Sequence, residues 1–260
     1  MNIIHPKICA IIEARTTSTR LPGKILLKIN NKTILEHLVS RLKKVKKIDS
    51  IIVATTTNNE DDSVVQLAKK LDVKFYRGEE NNVLKRVIDA AKFFRVKTIV
   101  RITSDCPLAD LNMISQYIDI FCNNSCDIVS NAHIRSYPVG MDIEIINAKA
   151  LAKSYRFAKS PHLKEHICLT MYKYNKIFKI CNIIAPPNLF YPKLGLTLDE
   201  YNDFILIEKI IKYMTKKKII NFSCEDILNL INSKGWMNIN KVVKRTKHKY
   251  YKYITPYYIK

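Results

Sequence analysis

Short apolar runs recur through the first half of this chain, and each is followed, after a polar turn, by a segment with helical apolar spacing. Runs of four to six such residues are what a strand buried on both faces requires, and the intervening helices are what cover those faces. The runs are Lys7 to Ile12, Ser50 to Thr55, Val73 to Tyr76, Thr98 to Thr103 and Asp127 to Ser130. Helical spacing covers Ile34 to Val45, Val83 to Phe94 and Met113 to Phe121; Asp61, Asp62 and Ser63 read as the cap of a further helix running to Leu71. Acids there suit the positive end of a helix. The alternation predicts an α/β fold with a mostly parallel central sheet and helices on both faces.

The pattern loosens after about residue 132. Met141 to Ile146 alternates like an edge strand, Ala148 to Phe157 and Lys164 to Tyr172 look helical, and Phe178 to Ile184 looks like a strand. Asp199 to Met214 reads as a long amphipathic helix and Cys224 to Ser233 as a short one. No repeat and no Gly/Ser linker marks a second full domain, so one α/β domain with a less regular C-terminal portion is expected.

Charge has to be weighed before any partner is named. The 260 residues carry 44 Lys plus Arg against 23 Asp plus Glu, a formal net charge of +21. An excess of that size raises a nucleic-acid reading. The cations are 34 Lys and only 10 Arg, which reads as compositional bias spread over a surface. Lys241 to Lys260 holds seven of them, no acid, and five tyrosines from Tyr250 to Tyr258. Basic and aromatic residues so interleaved can bind single strands or anionic surfaces, but a solvated or packed extension is the preferred reading. Neither nucleic acid nor a membrane is expected as a partner: no stretch nears the ~18 to 20 apolar residues a bilayer requires. The first seven residues show no signal-peptide pattern, so a cytoplasmic protein is expected. Seven scattered cysteines with no C-x-x-C argue for reduced thiols rather than a zinc site or disulfide framework. Cys106 is conceivable as a nucleophile, but no activating base stands beside it.

Ligands of open α/β sheets bind beyond the carboxyl ends of the strands. Two loops expected there are chemically loaded. Glu13 to Lys24 offers Arg15, Arg20 and Lys24, several hydroxyls and free backbone N–H groups. A polyphosphate calls for that combination of spread positive charge, guanidinium forks and backbone donors. A Walker A loop is absent, and taken alone the segment reads equally well as a solvated basic loop. Arg101 to Leu108 places Asp105 directly after a strand, where it could serve Mg²⁺ beside phosphate oxygens or simply cap the next turn. Asp199 follows a strand-like segment and could likewise only cap a helix.

Together these segments resemble a known family. Ala10-Ile-Ile-Glu-Ala-Arg-x-x-Ser-Thr-Arg-Leu-Pro-Gly-Lys24 is similar to the signature of the cytidylyltransferases that activate acidic sugars, such as 3-deoxy-manno-octulosonate. The nearer resemblance is to the spore coat polysaccharide biosynthesis protein F family. It continues through Val53 to Asp62, Tyr76 to Arg86, Arg101 to Leu108, Tyr137 to Glu144, Lys164 to His166, Leu196 to Asp199 and Asn221 to Leu228. It divides the chain into a cytidylyltransferase-like domain at 1–246 and a basic, Tyr-rich extension at 247–260.

The resemblance implies a three-layer αβα nucleotidyltransferase (glycosyltransferase-A-like) fold and transfer of CMP from CTP to an acidic sugar, for polysaccharide or glycoconjugate synthesis. Arg15, Arg20 and Lys24 would take the triphosphate, Ser18 and Thr19 would add hydrogen bonds, and Asp105 and Asp199 would hold Mg²⁺. Glu13, Ala14, Asn82, Arg86 and Arg101 complete the expected nucleotide contacts, with Arg15, Arg20, Lys24 and Asp105 as the catalytic set. Asp142, Glu144, Glu165 and His166 fall in the acceptor half, where a purely structural role reads equally well. Related enzymes are often dimers, so a homodimer is one expected state. The pattern departs at Val139 and Gly195, where the family usually has an acid and an arginine. Two other readings stay open: a glycosyltransferase with a nucleotide-sugar donor on the same fold, and a non-catalytic nucleic-acid or anionic-surface binder using the C-terminal extension. The first would want a D-x-D motif, and Asp105-Cys-Pro lacks the second acid.

Overall fold

β1 (Ile8–Glu13) sends alternate side chains into two separate cores, as the two-residue period of a strand requires. Ala10 and Ile12 enter one core, Cys9 and Ile11 the other, and all four are fully buried. The same division runs along β2 (Ser50–Thr56), where Ile51 and Val53 oppose Ile52 and Ala54. In the computed structural model, which describes residues 8–245 and Lys252–Tyr253, five more strands complete the sheet. They are β3 (Lys74–Gly78), β4 (Thr98–Thr103), β5 (Ile128–Ser130), β6 (Glu144–Asn147) and β7 (Ile180–Asn182).

The strand order is β7-β5-β6-β4-β1-β2-β3. All neighbours run parallel except β6, which is antiparallel to both β4 and β5. One core is covered by α1 (Ile34–Leu42), α2 (Asp62–Lys70), α4 (Leu111–Asn123), α8 (Tyr201–Lys216) and α9 (Cys224–Ser233). The other is covered by α3 (Val83–Phe93), α5 (Ala148–Tyr155), α6 (Pro161–Glu165) and α7 (Leu169–Lys173). The fold is the three-layer αβα sandwich with a mostly parallel sheet that the sequence leads one to expect.

That order fixes where a site can lie. The chain moves outward from β1 through β2 to β3, then crosses back through α3 to β4 on the other side of β1. The loops leaving β1 and β4 therefore diverge and leave a crevice between them.

Three expectations need correction. The strand within 141–146 is not at an edge: β6 lies between β5 and β4, and β7 and β3 are the edges. Its alternation reads as half-solvated only because Glu144 looks polar, but that carboxylate is buried against Arg101, its cross-strand partner. The helix expected over Lys164 to Tyr172 is two short helices broken at His166–Cys168, with Ser160 and Pro161 starting the first. Asp61 makes no side-chain cap on α2; its carboxylate faces the first loop instead. The Tyr-rich extension at 247–260 lies outside the described residues, save that Lys252–Tyr253 forms a short parallel ladder with Ile134–Arg135.

The C-terminal half is stitched to the site by one close approach. Residues 194–198 thread between Val139 and Asp105: Val139 N–H donates to Leu194 O (2.8 Å), Leu196 N–H to Val139 O (2.6 Å) and Leu198 N–H to Asp105 O (2.9 Å). Gly140 makes this possible, with φ +103° and space so tight that a Cβ would lie 2.5 Å from the Leu196 carbonyl carbon. Gly23 also has positive φ, +67°, but a Cβ there meets nothing within 4 Å. Gly140→Ala should therefore cost about 2 kcal/mol or more, from overpacking added to strain, and Gly23→Ala only about 1 kcal/mol. Urea unfolding of the two variants checks the difference.

Candidate active site

The loop after β1 is pinned from below by a buried acid. Asp61 accepts hydrogen bonds from Thr16 N (2.7 Å), Thr16 Oγ1 (2.9 Å) and the Thr56 hydroxyl. Gly23 N–H closes the loop on Thr16 O at 2.9 Å. Its upper side is tied to the turn before α3, where Glu80 accepts from Thr17 Oγ1 and from Asn58 Nδ2, each at 2.6 Å. The result holds three cations over the crevice. Arg15 reaches Glu80 (3.6 Å) and Glu165 (3.7 Å), and Arg20 reaches Asp199 at 2.7 Å.

Lys24 occupies the centre. Its Nζ lies 2.6 Å from Asp105 Oδ2, 2.7 Å from Leu198 O and 3.3 Å from Asp199 Oδ1. Residues 24, 105 and 198–199 thus converge on one point at the carboxyl ends of the central strands. Burial would favour a neutral lysine, but Asp105 and Asp199 together outweigh it and hold the Lys24 pKa above its ordinary value. Burial likewise works against the charge on Asp105, and Lys24 overcomes it, holding that carboxyl below its ordinary range. A raised lysine stabilises the fold below its unfolded pKa and a depressed aspartate stabilises it above its own. The pair therefore contributes through neutral pH, and the contribution is lost below about pH 3.9 and above about pH 10.4.

These groups line a cleft of about 460 Å³. Of the residues singled out in the sequence, Glu13, Ala14, Arg15, Ser18, Thr19, Arg20, Lys24, Arg86, Asp105, Glu165, His166 and Asp199 line it. Arg86 is 2% exposed, and its Nη1 donates to the carbonyls of Glu79 (2.5 Å) and Glu80 (3.1 Å), so it also holds the turn above α3. A second cavity of similar size, about 470 Å³, lies between α1 and α8, but apolar surface dominates its walls and no acid lines it.

Four expected contacts are placed elsewhere. Asn82 caps α3, accepting from Lys85 N–H (3.2 Å), and donates to the Tyr155 hydroxyl (3.0 Å). Arg101 lies beneath the cleft, donating to Glu13 Oε1 (2.8 Å) and Glu144 Oε2 (2.7 Å). Glu144, 1% exposed, also accepts from the Tyr172 hydroxyl. Asp142 forms a fork with Arg135, at 2.7 and 3.1 Å. Arg101, Glu144 and Asp142 are committed to one another's charges or to a neighbour's, which is why they do not face the cleft. Burial, outweighing Arg101, raises the pKa of Glu13, the one member of the triad that reaches the cleft.

Cys106 is no nucleophile here. Burial, helped by the charge of Asp105, pushes its thiol well above the ordinary range, so the thiolate is not available near neutral pH. Sequence reasoning missed Asp61, Glu80, Asp203 and Arg245, which support the site from behind. Asp61 had a signal, an acid soon after a strand end, but it was absorbed into a helix-cap reading.

The model for the cytidylyltransferase family matches residues 9–230. The chain belongs to that family. It is similar to an uncharacterised protein of Methanocaldococcus jannaschii, 36% identical over 244 residues, which is 94% of this chain and 98% of that one. The spore coat polysaccharide biosynthesis protein SpsF of Bacillus subtilis is 27% identical over 230 residues, 86% of this chain and 94% of its own. Among solved structures, a cytidylyltransferase from Leptospira borgpetersenii superposes with a TM-score of 0.86 at 32% identity, covering 93% of this chain and all of that one. A CMP:2-keto-3-deoxy-manno-octonic acid synthetase complexed with CTP shares the fold, with a TM-score of 0.63 at 14% identity over 80% of this chain and 99% of its own. The cytidylyltransferase fold thus brings the first loop and the two acids together. Among the described residues no helix is long and apolar enough to cross a membrane.

Asp61 and Asp62 separate the two readings of this region. Asp61→Ala leaves three donors without their acceptor and should cost about 1 to 3 kcal/mol in urea unfolding, with faster proteolysis of the 14–24 loop. Asp62, on an exposed pair with Arg77, should cost less than about 1 kcal/mol as Asp62→Ala.

Proposed function

We propose that this protein transfers CMP from CTP to an acidic sugar or a related acceptor and releases pyrophosphate. The observation that carries the reading is the single point where Lys24, Asp105, Asp199 and the Leu198 carbonyl meet beneath the cationic loop. A cationic loop alone would bind any polyanion. A cationic loop over two converging carboxylates suits a triphosphate with a divalent cation.

The donor set fits Mg²⁺. Two carboxylates and a carbonyl already surround one cation, and Mg²⁺ is typically held by one or two carboxylates together with substrate phosphates and water. Asp105 and Asp199 would hold the ion, and bound Mg²⁺ would supply charge neutralisation at the α-phosphate.

The chain's own residues do the rest by position. Arg15 and Arg20, both lining the cleft, offer guanidinium forks to the phosphates. Lys24, kept protonated by its two carboxylates, brings a fixed positive charge to the place where negative charge grows as the acceptor oxygen attacks the α-phosphorus. Asp61 and Glu80 hold the loop so that little reorganisation accompanies binding. Glu165 and His166, at the end of α6, face the same cleft and mark the acceptor side. Glu144 is buried against Arg101 and Tyr172, so it takes no proton from the acceptor. The reaction belongs to the cytoplasm, where CTP is available, and to polysaccharide or glycoconjugate synthesis.

Thermal unfolding with each of the four nucleoside triphosphates, with and without Mg²⁺, tests the nucleotide half. A ligand of the folded state adds ~2.7 kcal/mol at 100 times its dissociation constant, so selective protection by CTP with Mg²⁺ should be plain. Protection by a nucleotide sugar but not by CTP would overturn the reading in favour of glycosyl transfer. Pyrophosphate release with 3-deoxy-octulosonic or nonulosonic acids then tests the acceptor. Asp105→Asn should lower turnover by about 10² to 10³ with the fold intact; full activity in that variant would remove Asp105 from the site.

A further inference from the structure

The family match ends at residue 230, yet a side chain from beyond it reaches the site. After α9 the chain turns at Gly235 and doubles back, and Asn240 Nδ2 donates to Gly195 O (2.8 Å) and Asp203 Oδ1 (2.7 Å). Arg245 then lays its guanidinium on Asp203, with Nη1 2.9 Å from Oδ2 and Nη2 2.5 Å from Oδ1, and Nη1 also lies 3.3 Å from Asp199 Oδ2.

We propose that Arg245 is a positioning residue that fixes the orientation of the Asp199 carboxylate, and that Gly195 is the gap that admits it. The proposal rests on the CTP and Mg²⁺ reading above. Asp199 divides its oxygens: Oδ2 faces Arg245, while Oδ1 faces Arg20 and Lys24 in the cleft. The main chain of the same residue is clamped as well, since Asp199 N–H and Glu200 N–H both donate to Asp203 Oδ2 at 3.0 Å. Asp203 is fully buried, and Arg245 is the cation that balances it. Arg245 therefore holds both the acid that aims into the cleft and the acid that aims its backbone. Gly195 is part of the device: a Cβ there would lie 1.8 Å from Nη2 and 2.2 Å from Cζ of Arg245, so any side chain at 195 evicts the guanidinium. The Cys224–Arg245 segment is thereby more than a cover over α8; it sets the rotation of a carboxylate in the site.

A simple tack of the C-terminal segment onto α8 would change ligand-free stability only. Positioning of Asp199 predicts a change in the metal requirement. In the full chain, Arg245→Gln and Gly195→Ala should each raise the Mg²⁺ concentration for half-maximal CTP protection by at least about tenfold, as expected for losing a hydrogen bond to a charged group. Protection by CTP without metal should stay at the wild-type level, and Arg245→Lys should recover part of the loss. Because Gly195→Ala acts by displacing Arg245, the double variant should be no worse than either single one. A wild-type Mg²⁺ requirement in both single variants, whatever their melting temperature, overturns the proposal, as does an additive double variant. If the wild-type protein itself shows no protection by CTP with Mg²⁺, the underlying reading fails and this proposal falls with it.

Discussion

The Lys24 ammonium joins three parts of the chain: the first loop, the end of β4 and the entry to α8. Three charges gathered in a half-buried crevice are stable only if each has a partner, because the desolvation of an unpaired one costs several kcal/mol. Here the partners are one another, and the Leu198 carbonyl takes a further ammonium proton. The crevice is where the strand order reverses, so the sheet topology decides where the loops diverge and the ion cluster decides how closely they approach. That places an electrostatic arrangement suited to a polyphosphate in the crevice the sheet topology opens.

A second group of charges lies one layer below. Arg101 sits on β4 between Glu13 on β1 and Glu144 on β6, directly opposite the latter in register. Burial alone would lower its pKa, and the two glutamates more than reverse that, holding the guanidinium charge firmly. β6 is antiparallel to both its neighbours, so its register is set apart from that of the parallel strands. A charged pair across β4 and β6 fixes that register at a single residue, since a one-residue slip would turn Glu144 to the opposite face. The same triad supports the floor of the cleft through Glu13, so the stability of the central sheet and the shape of the site share a residue.

Much of this was legible in the residues. Apolar runs marked the parallel strands, because burial on both faces leaves an unmixed apolar signal; alternation marked β6, and period-3.6 segments marked the long helices. Arg15, Arg20, Lys24, Asp105 and Asp199 each allowed a bland reading in their own loops, as solvated cations or caps, and it was the family resemblance that gathered them into one expected site. What was not legible depends on distance through space. Arg101, Glu144 and Asp142 have the chemistry of contact residues, and only their mutual pairing, across strands or across a loop, shows them committed elsewhere. Asp61 looked like its neighbour Asp62, since a helix cap and a loop anchor can use the same residue type one position apart. Glu80 and Asp203 act on backbone N–H groups or on other side chains, and such work leaves no pattern along a chain.

Gly195 shows how a departure from a family pattern can be a relocation. The resemblance leads one to expect an arginine at this position, and by sequence alone the glycine reads as a lost contact. In space the volume is filled by the guanidinium of Arg245, fifty residues later in the chain and past the end of the family match. A cation beside Asp199 arrives instead from a segment anchored by Asn240 on Gly195 O and Asp203. Space at Gly195 and position at Arg245 are two sides of one constraint, and a change at either residue alone leaves Asp203 buried without its cation.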